Sequence, residues 1–465
     1  MSRANDSNRP NILVIVSDEH APHDTGCYGH PQVQTPSLDA LADAGHVFDN
    51  AHCNSPICTP SRNSFMTGRY CHEIGAWDLE TPLPTDAETW GHHLGQAGYE
   101  TVLCGRSHWH GPDRMRGFER RLLDDLPRWR RDTYRAPSRS PDWRRGSRPH
   151  VTWCGPGSHP FTHYDRLAGG LAEDFLRKKG QADGDRPWLL YLGFMLPHFP
   201  LIAPPELLAL YDPETVTLPG TFNEPLASQH PAIQKLRYGW CNDEPLPEST
   251  QRLATACYLA LVTQIDRLVG GVVDALRETG QLENTVVIYT SDHGEMGGDH
   301  GIWQKQCFYE RSVRVPLIIR APGEGPRRIA DNVSLIDLLP TLRDLAGLPP
   351  SGDLSGRSLF DVARHDSGEP KRTVFSEYHH SGMPNAGFML KRGPYKLCHY
   401  VGHETPQLFR PDRDPDEICD LAEDPDHAEA RAACEAELHG LIDPEAVDRR
   451  AHEDQGQPLS DSASE

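Results

Sequence analysis

Four apolar runs limit what this chain can fold into. Asn11-Ile12-Leu13-Val14-Ile15-Val16 is largely β-branched and carries no alternating polar residue, so it reads as a strand buried on both faces, as in a parallel sheet. Glu100 to Cys104, Trp188 to Phe194 and Asn284 to Thr290 read as further strands of this kind. Each run stops at residues that carry chemistry: Ser17-Asp18-Glu19-His20, Gly105-Arg106-Ser107-His108-Trp109-His110, Pro197-His198-Phe199-Pro200 and Ser291-Asp292-His293-Gly294-Glu295. Open α/β sheets place their ligands beyond the carboxyl ends of the strands. At that position Asp18 reads either as a hard-cation ligand or as a loop aspartate, and Asp292-His293 as an oxygen and nitrogen ligand pair or a capped turn.

Between these runs lie helical patterns. Thr35-Pro36 starts one that Gly45 ends, and Glu88 to Ala97 reads as another. Tyr258, Leu261, Ile265, Leu268, Val272 and Leu276 recur at steps of three and four over Ser249 to Leu276, a core-packing stripe. Residues 206 to 248 are Pro-rich and irregular. Val315 to Ile319 is one more strand, and Val333 to Ala346 reads as a helix. Beyond Gly356-Arg357-Ser358-Leu359 the composition loosens, and short strand-like pieces follow at 373–376, 386–390, 395–397 and 407–409, then an acidic helix from about Asp426 to Ile442. The expected organisation is a large domain over 1–365, a small C-terminal α+β domain over 366–446 and a polar, disordered tail over 447–465.

A net charge of −21 argues against nucleic-acid and anionic-membrane partners, so positive charge for an anionic substrate must be gathered locally. Met1 to Pro10 is polar and without an apolar export segment, and no run reads as a membrane span, which points to the cytoplasm. Twelve cysteines lack Cys-x-x-Cys spacing, so neither a zinc ribbon nor a disulfide framework is indicated. From Arg128 to Arg148 there are eight arginines and two acids. This stretch reads as a solvated loop, the alternative being a lid or subunit contact that brings cations to an anionic substrate.

The segment Ser55-Pro56-Ile57-Cys58-Thr59-Pro60-Ser61-Arg62, with Thr67-Gly68-Arg69 close behind, contains Cys-x-Pro-Ser-Arg. It resembles the modification signal of the type I sulfatases, and Gly26-Cys27-Tyr28-Gly29 with Thr35-Pro36-Ser37-Leu38 looks like their N-terminal segment. Pro197-His198-Phe199-Pro200 matches the family's Pro-His-x-Pro, and Asp292-His293 is similar to choline sulfatases and phosphonate monoester hydrolases. The resemblance implies the alkaline phosphatase-like fold: a mixed, mostly parallel sheet sandwiched by helices, with a smaller antiparallel C-terminal domain. It also implies that Cys58 is oxidised to formylglycine (3-oxoalanine) by a formylglycine-generating enzyme.

By the same resemblance, Asp18, Asp292, His293 and an oxygen of modified Cys58 hold a divalent cation. Ca²⁺ is the first choice, with Mg²⁺ or Mn²⁺ open because histidine is unusual for Ca²⁺. Glu19 stands where many sulfatases have a second acidic ligand. Arg62 would hold the hydrated aldehyde and an anion. Arg106 stands where lysine is usual, and with Arg62 and Lys305 it would stabilise the transferring group. His198 or Lys305 would protonate the leaving oxygen, and His108 would take the proton that releases sulfate. Glu310 and Arg314 are expected to form a structural salt bridge, and His379 or His380 to shape the pocket or lie at the surface. The implied reaction is hydrolysis of a small-molecule or saccharide sulfate ester, in a chain that allows a homo-oligomer. The rival readings are a phosphonate monoester or phosphodiester hydrolase on the same site, and a catalytically silent binding protein of this fold.

Overall fold

The computed structural model describes residues 9–126, 138–145, 148–181 and 186–457. Its strands are β1 (Asn11–Asp18), β2 (His46–His52), β3 (Glu100–Gly105), β4 (Arg120–Leu123), β5 (Cys154–Pro156), β6 (Trp188–Pro197), β7 (Leu201–Ala203), β8 (Thr285–Ser291), β9 (Leu317–Arg320), β10 (Arg327–Ser334), β11 (Thr373–Tyr378), β12 (Gly387–Arg392), β13 (Tyr395–Tyr400) and β14 (Gln407–Phe409). The large sheet has eight strands in the order β10-β2-β9-β8-β1-β6-β3-β4. Strand β9 runs antiparallel to both neighbours, and the other pairings are parallel. The sheet is thus mixed and mostly parallel, as the resemblance implied.

The unbroken apolar runs have a direct cause. Ile12, Val14 and Val16 of β1 enter one core, while Leu13 and Ile15 enter the core on the opposite face. β8 divides in the same way, with Val286 and Ile288 on one side and Val287 and Tyr289 on the other. A strand with helices on both faces has no solvent side for polar residues to occupy. Each such buried aliphatic side chain stabilises the fold by about 1.5–3 kcal/mol relative to exposure. One face is covered by the helices Pro160–Gln181 and Glu248–Glu278 and the other by Cys58–Thr67, Trp90–Gln96 and Leu338–Leu345. The sequence reading found no run of membrane-spanning length, yet Glu248–Glu278 meets that criterion by length and composition. Its apolar surface is core surface: 78% of the critical window is buried against the sheet and neighbouring helices.

Strands β11 to β14 form the expected small antiparallel sheet. Phe375, Phe388, Leu390, Leu397 and Leu408 pack there against Cys434 and Leu438 of the helix Ala428–Leu441.

Four readings need correction. The tail does not begin at 447: a helix spans Pro444–Asp454, capped by Asp443 and anchored by buried Val447 and Ala451. The segment Val333 to Ala346 starts as strand, because β10 pairs through Val333 with Ala51, and its helix begins only at Leu338. Within 206–248 a helix, Pro231–Gly239, starts with proline in its first turn and His230 accepting from the Ala232 N–H at 3.2 Å. Glu310 is a buried structural acid, but its partners are Lys391, Lys396 and His52 at 3.2–3.3 Å rather than Arg314.

Part of the arginine-rich stretch lies outside the described residues. Of the rest, Arg139 pairs with Asp448 at 2.7 Å, Arg144 with Asp243 at 2.9 Å and Arg148 with Glu244 at 3.1 Å, so these three tie the segment down.

Candidate functional site

Cys58 is the first residue of the helix Cys58–Thr67, whose ten residues are all buried. The segment leading to it is pinned through its backbone: Cys53 N to Val313 O, Glu377 N to Asn54 O and Gln306 N to Pro56 O. Pro60 lies in the first turn, where its missing N–H costs nothing. The helix starts at Cys58, so Arg62 stands one turn behind the cysteine and the positive end of the helix faces the pocket.

β1, β6 and β8 are parallel neighbours and end at the same edge, with Ser17 paired to Ser291 and Asp18 to Pro197. That edge brings Asp18, Asp292 and His293 around Cys58. Cys58 Sγ lies 3.1 Å from His293 Nε2 and 3.7 Å from Asp18 Oδ1. His293 gives its Nδ1–H to the Gly294 carbonyl at 3.0 Å, which turns the Nε2 lone pair into the pocket. One donor atom from each of Asp18, Cys58, Asp292 and His293 lies within 4.8 Å of the others. Two carboxylates, an imidazole lone pair and the side chain at 58 suit a divalent cation. Burial, followed by Asp18, pushes the Cys58 thiol up to about 12.

Arg62 serves this cluster differently from expectation. Its Nε donates to Asp292 Oδ2 at 2.8 Å, Nη1 to Tyr191 Oη and the Arg106 carbonyl, and Nη2 to Asp18 Oδ2 at 3.0 Å and the Ser17 carbonyl. A guanidinium has five N–H groups, and these contacts account for them. Arg62 therefore clamps the two acids in place instead of reaching toward an anion. The resulting field holds Asp18 ionised: burial opposes its charge, but Arg106 and Arg62 overcome that and lower its pKa.

Arg106 follows a close backbone approach. A Cβ on Gly105 would lie 2.1 Å from the Gly193 carbonyl oxygen, and one on Gly193 would lie 1.9 Å from that of Arg106, so β3 and β6 meet there only as glycines. Arg106 Nε donates to Asp18, and Nη2 donates to His108 Nδ1 at 2.9 Å. Arginine cannot accept, so the lone pair of neutral His108 is on Nδ1 and its proton on Nε2. Burial, Arg106 and His110 hold the His108 pKa well below the usual value.

On the other side, Lys305 Nζ donates to Glu19 Oε2 at 2.8 Å and lies 5.2 Å from the Phe199 ring centre. Burial works against the ammonium, but Cys58 and Glu19 raise its pKa above the ordinary lysine value. His198 gives Nδ1–H to the Phe199 carbonyl at 2.7 Å, leaving an Nε2 lone pair 3.4 Å from Glu19 Oε2. Glu19 itself is buried in a left-handed backbone conformation, and its Oε1 has no partner among the described residues.

The structure thus brings residues 18, 58, 62, 106, 108, 198, 292, 293 and 305 to one place. His379 is not part of this cluster: its Nε2 bonds Glu377 at 2.8 Å and its ring meets Trp77 edge-on. Sequence reading missed Tyr191, hidden inside an apolar strand, and Asp125, whose only signal is an acidic pair just after a short strand.

Residues 10–348 match the family model described as Sulfatase, and residues 298–443 match one described as N-sulphoglucosamine sulphohydrolase, C-terminal. The chain belongs to the sulfatase family. It is 33% identical over 438 residues to a choline-sulfatase of Rhizobium meliloti (strain 1021), covering 90% of this chain and 83% of the relative. It is 30% identical over 440 residues to arylsulfatase K of Danio rerio, covering 89% and 80%. A phosphonate monoester hydrolase of Agrobacterium radiobacter shares the fold of this sulfatase, with TM-score 0.74, 23% identity and coverage of 93% and 95%. Asp18, Cys58, Asp292 and His293 all sit within the matched span.

Proposed function

We propose that this sulfatase hydrolyses the sulfate ester of a small alcohol or a sugar, using Cys58 as its formylglycine form and one divalent cation, Ca²⁺ first. The observation that carries the reading is the buried grouping of Asp18, Cys58, Asp292 and His293 donor atoms within 4.8 Å at the start of a helix. Those four would hold the cation. The bound cation would polarise a sulfate oxygen, and the hydrated aldehyde would supply the nucleophile.

The protein's own groups divide the remaining work. Arg62 keeps the two carboxylates facing each other across the pocket. Arg106, the helix N-terminus and Lys305 concentrate positive charge where the sulfate charge spreads. Lys305 bears N–H groups on its side of the pocket, while His198 presents a lone pair, so Lys305 would hydrogen-bond the leaving oxygen, its raised pKa keeping it an ammonium. His108 presents Nε2–H to bind an oxygen, and it takes the proton that releases sulfate through Nδ1 once that atom parts from Arg106.

A host formylglycine-generating enzyme would act on residues 58–62. A reducing compartment, the cytoplasm, fits twelve cysteines that are all unpaired.

The test combines mass spectrometry of the peptide spanning residues 53–69 with metal analysis and turnover of p-nitrophenyl sulfate. Conversion at Cys58, one tightly held divalent ion and turnover lost in Cys58→Ala are expected. An unmodified peptide from fully active protein would sink the proposal. Faster turnover of an aryl phosphonate than of the aryl sulfate would move the assignment to the phosphonate reading.

A further inference from the structure

We propose that Asp125 is a positioning residue that holds His108 in its working place, an inference that rests on the sulfatase reading above. β3 and β4 are parallel neighbours at the end of the large sheet, with Val102 paired to Arg120 and Cys104 to Leu123. Their continuations therefore emerge side by side at the edge that carries the site. The chain beyond β3 must turn sharply to bring His108 back against Arg106, and His108 does so at φ +58°. That left-handed conformation is uncommon for a residue with a side chain, so it persists only where the surroundings enforce it.

Asp125 provides the enforcement. Its Oδ1 accepts the consecutive backbone N–H groups of Ser107 and His108, each at 3.0 Å, and its Oδ2 accepts the Ser107 hydroxyl at 2.7 Å and Arg121 Nη2 at 2.8 Å. Arg121 also donates to Ser107 Oγ and to the Arg114 carbonyl, so the carboxylate is itself fixed. Two successive N–H groups converging on one anion form a nest, and a nest defines the backbone path through it. Asp125 is 3% exposed, and the four hydrogen bonds just described go to Ser107, His108 and Arg121. The contact through which it would act on the reaction is the one to the His108 backbone.

The experiment is a double-mutant cycle on the mature, metal-loaded enzyme with p-nitrophenyl sulfate. Asp125→Ala is expected to lower kcat by about 10²-fold, the scale of a misplaced catalytic group, with KM within about threefold. Asp125→Asn keeps an acceptor for both N–H groups and is expected to stay within about tenfold of wild type. In a His108→Ala background, Asp125→Ala is expected to cost less than about threefold more, because its target is already gone. The full loss repeated in that background would overturn the proposal, as would Asp125→Asn as slow as Asp125→Ala. Should Asp125→Ala not fold, Asp125→Asn decides, and a rate as low as that of His108→Ala overturns the proposal. If His108→Ala is as fast as wild type, the role of His108 fails and this inference with it. If wild type turns over no sulfate ester, the sulfatase reading has failed first.

Discussion

The N–H groups of Arg62 fall on two carboxylates, a phenol and two carbonyls, all buried. Without Arg62, Asp18 and Asp292 would face each other in a water-poor pocket with one fewer counterion. Breaking a buried ion pair by removing one partner costs about 3–5 kcal/mol, so Arg62→Ala is expected to lower unfolding stability by that amount in urea titrations. Arg62→Lys should recover only part, because an ammonium cannot reach both acids in the same plane. The motif made Arg62 visible, but its partners were not: Asp18 and Asp292 lie 44 and 230 residues away, and only the pairing of β1 with β8 brings them together. Arg106 was legible as the departure from lysine, and its consequence for His108 is testable by pH. His108 must be neutral to take a proton, and burial, Arg106 and His110 lower its pKa. The acid limb of the kcat profile should then fall well below pH ~6.5, the ordinary histidine value. Arg106→Ala removes one of the lowering charges, so its limb should move toward higher pH. A limb that stays put in Arg106→Ala would show that another group controls it.

Secondary structure was largely readable because strands between two helical layers are continuously apolar, and the helix Glu248–Glu278 repeats its stripe over 31 residues. Contacts between elements were less readable, and Glu310 shows why. A structural salt bridge to Arg314 was expected, but the helix Glu310–Val313 has only four residues and Arg314 is already extended. The carboxylate turns instead to Lys391 and Lys396, which are directly paired across β12 and β13. Lys396 also meets Glu417, and the Glu310 N–H donates to Glu417 at 2.6 Å. The small sheet thus inserts two cations beneath the loop that carries His293 and Lys305. Lys396→Met would leave buried carboxylate charge with less compensation, and a loss of about 3–5 kcal/mol is expected. Replacing Glu310, Lys391 and Lys396 together with apolar residues should cost much less than the sum of the single changes. Strict additivity in denaturant melts would show that these groups do not act as one network.

At the scale of the whole molecule, the chain order of strands announced the sheet, while the joint between the large and small units left no pattern in the sequence. A buried carboxylate forms part of that joint. Glu377 of β11 accepts from the His72 backbone N–H at 3.0 Å, contacts His72 Nδ1 at 2.9 Å and contacts His379 Nε2 at 2.8 Å. Burial disfavours charge on both members of the pair, yet Glu377 raises the pKa of His72, and His72 with His379 lowers that of Glu377. The two signs define a window. A histidine with a raised folded pKa contributes stability that is complete below its unfolded value of about 6.5 and is lost as pH rises through the folded value. A glutamate with a depressed folded pKa contributes stability that is complete above about 4.3 and is lost as pH falls through the folded value. The pair is therefore strongest between pH ~4.3 and ~6.5 and weakens on the alkaline side first, within reach of ordinary buffers. A hydrogen bond to a charged group is worth about 1.5–3 kcal/mol, so His72→Ala should be less stable than wild type by that amount near pH 5.5. The gap should narrow as pH rises through the raised His72 value and the histidine loses its charge. Urea midpoints of both proteins across that range provide the measurement, and a gap that does not change with pH would mean that the joint is held by packing of the His72 ring on Tyr70 and Phe375 rather than by its charge.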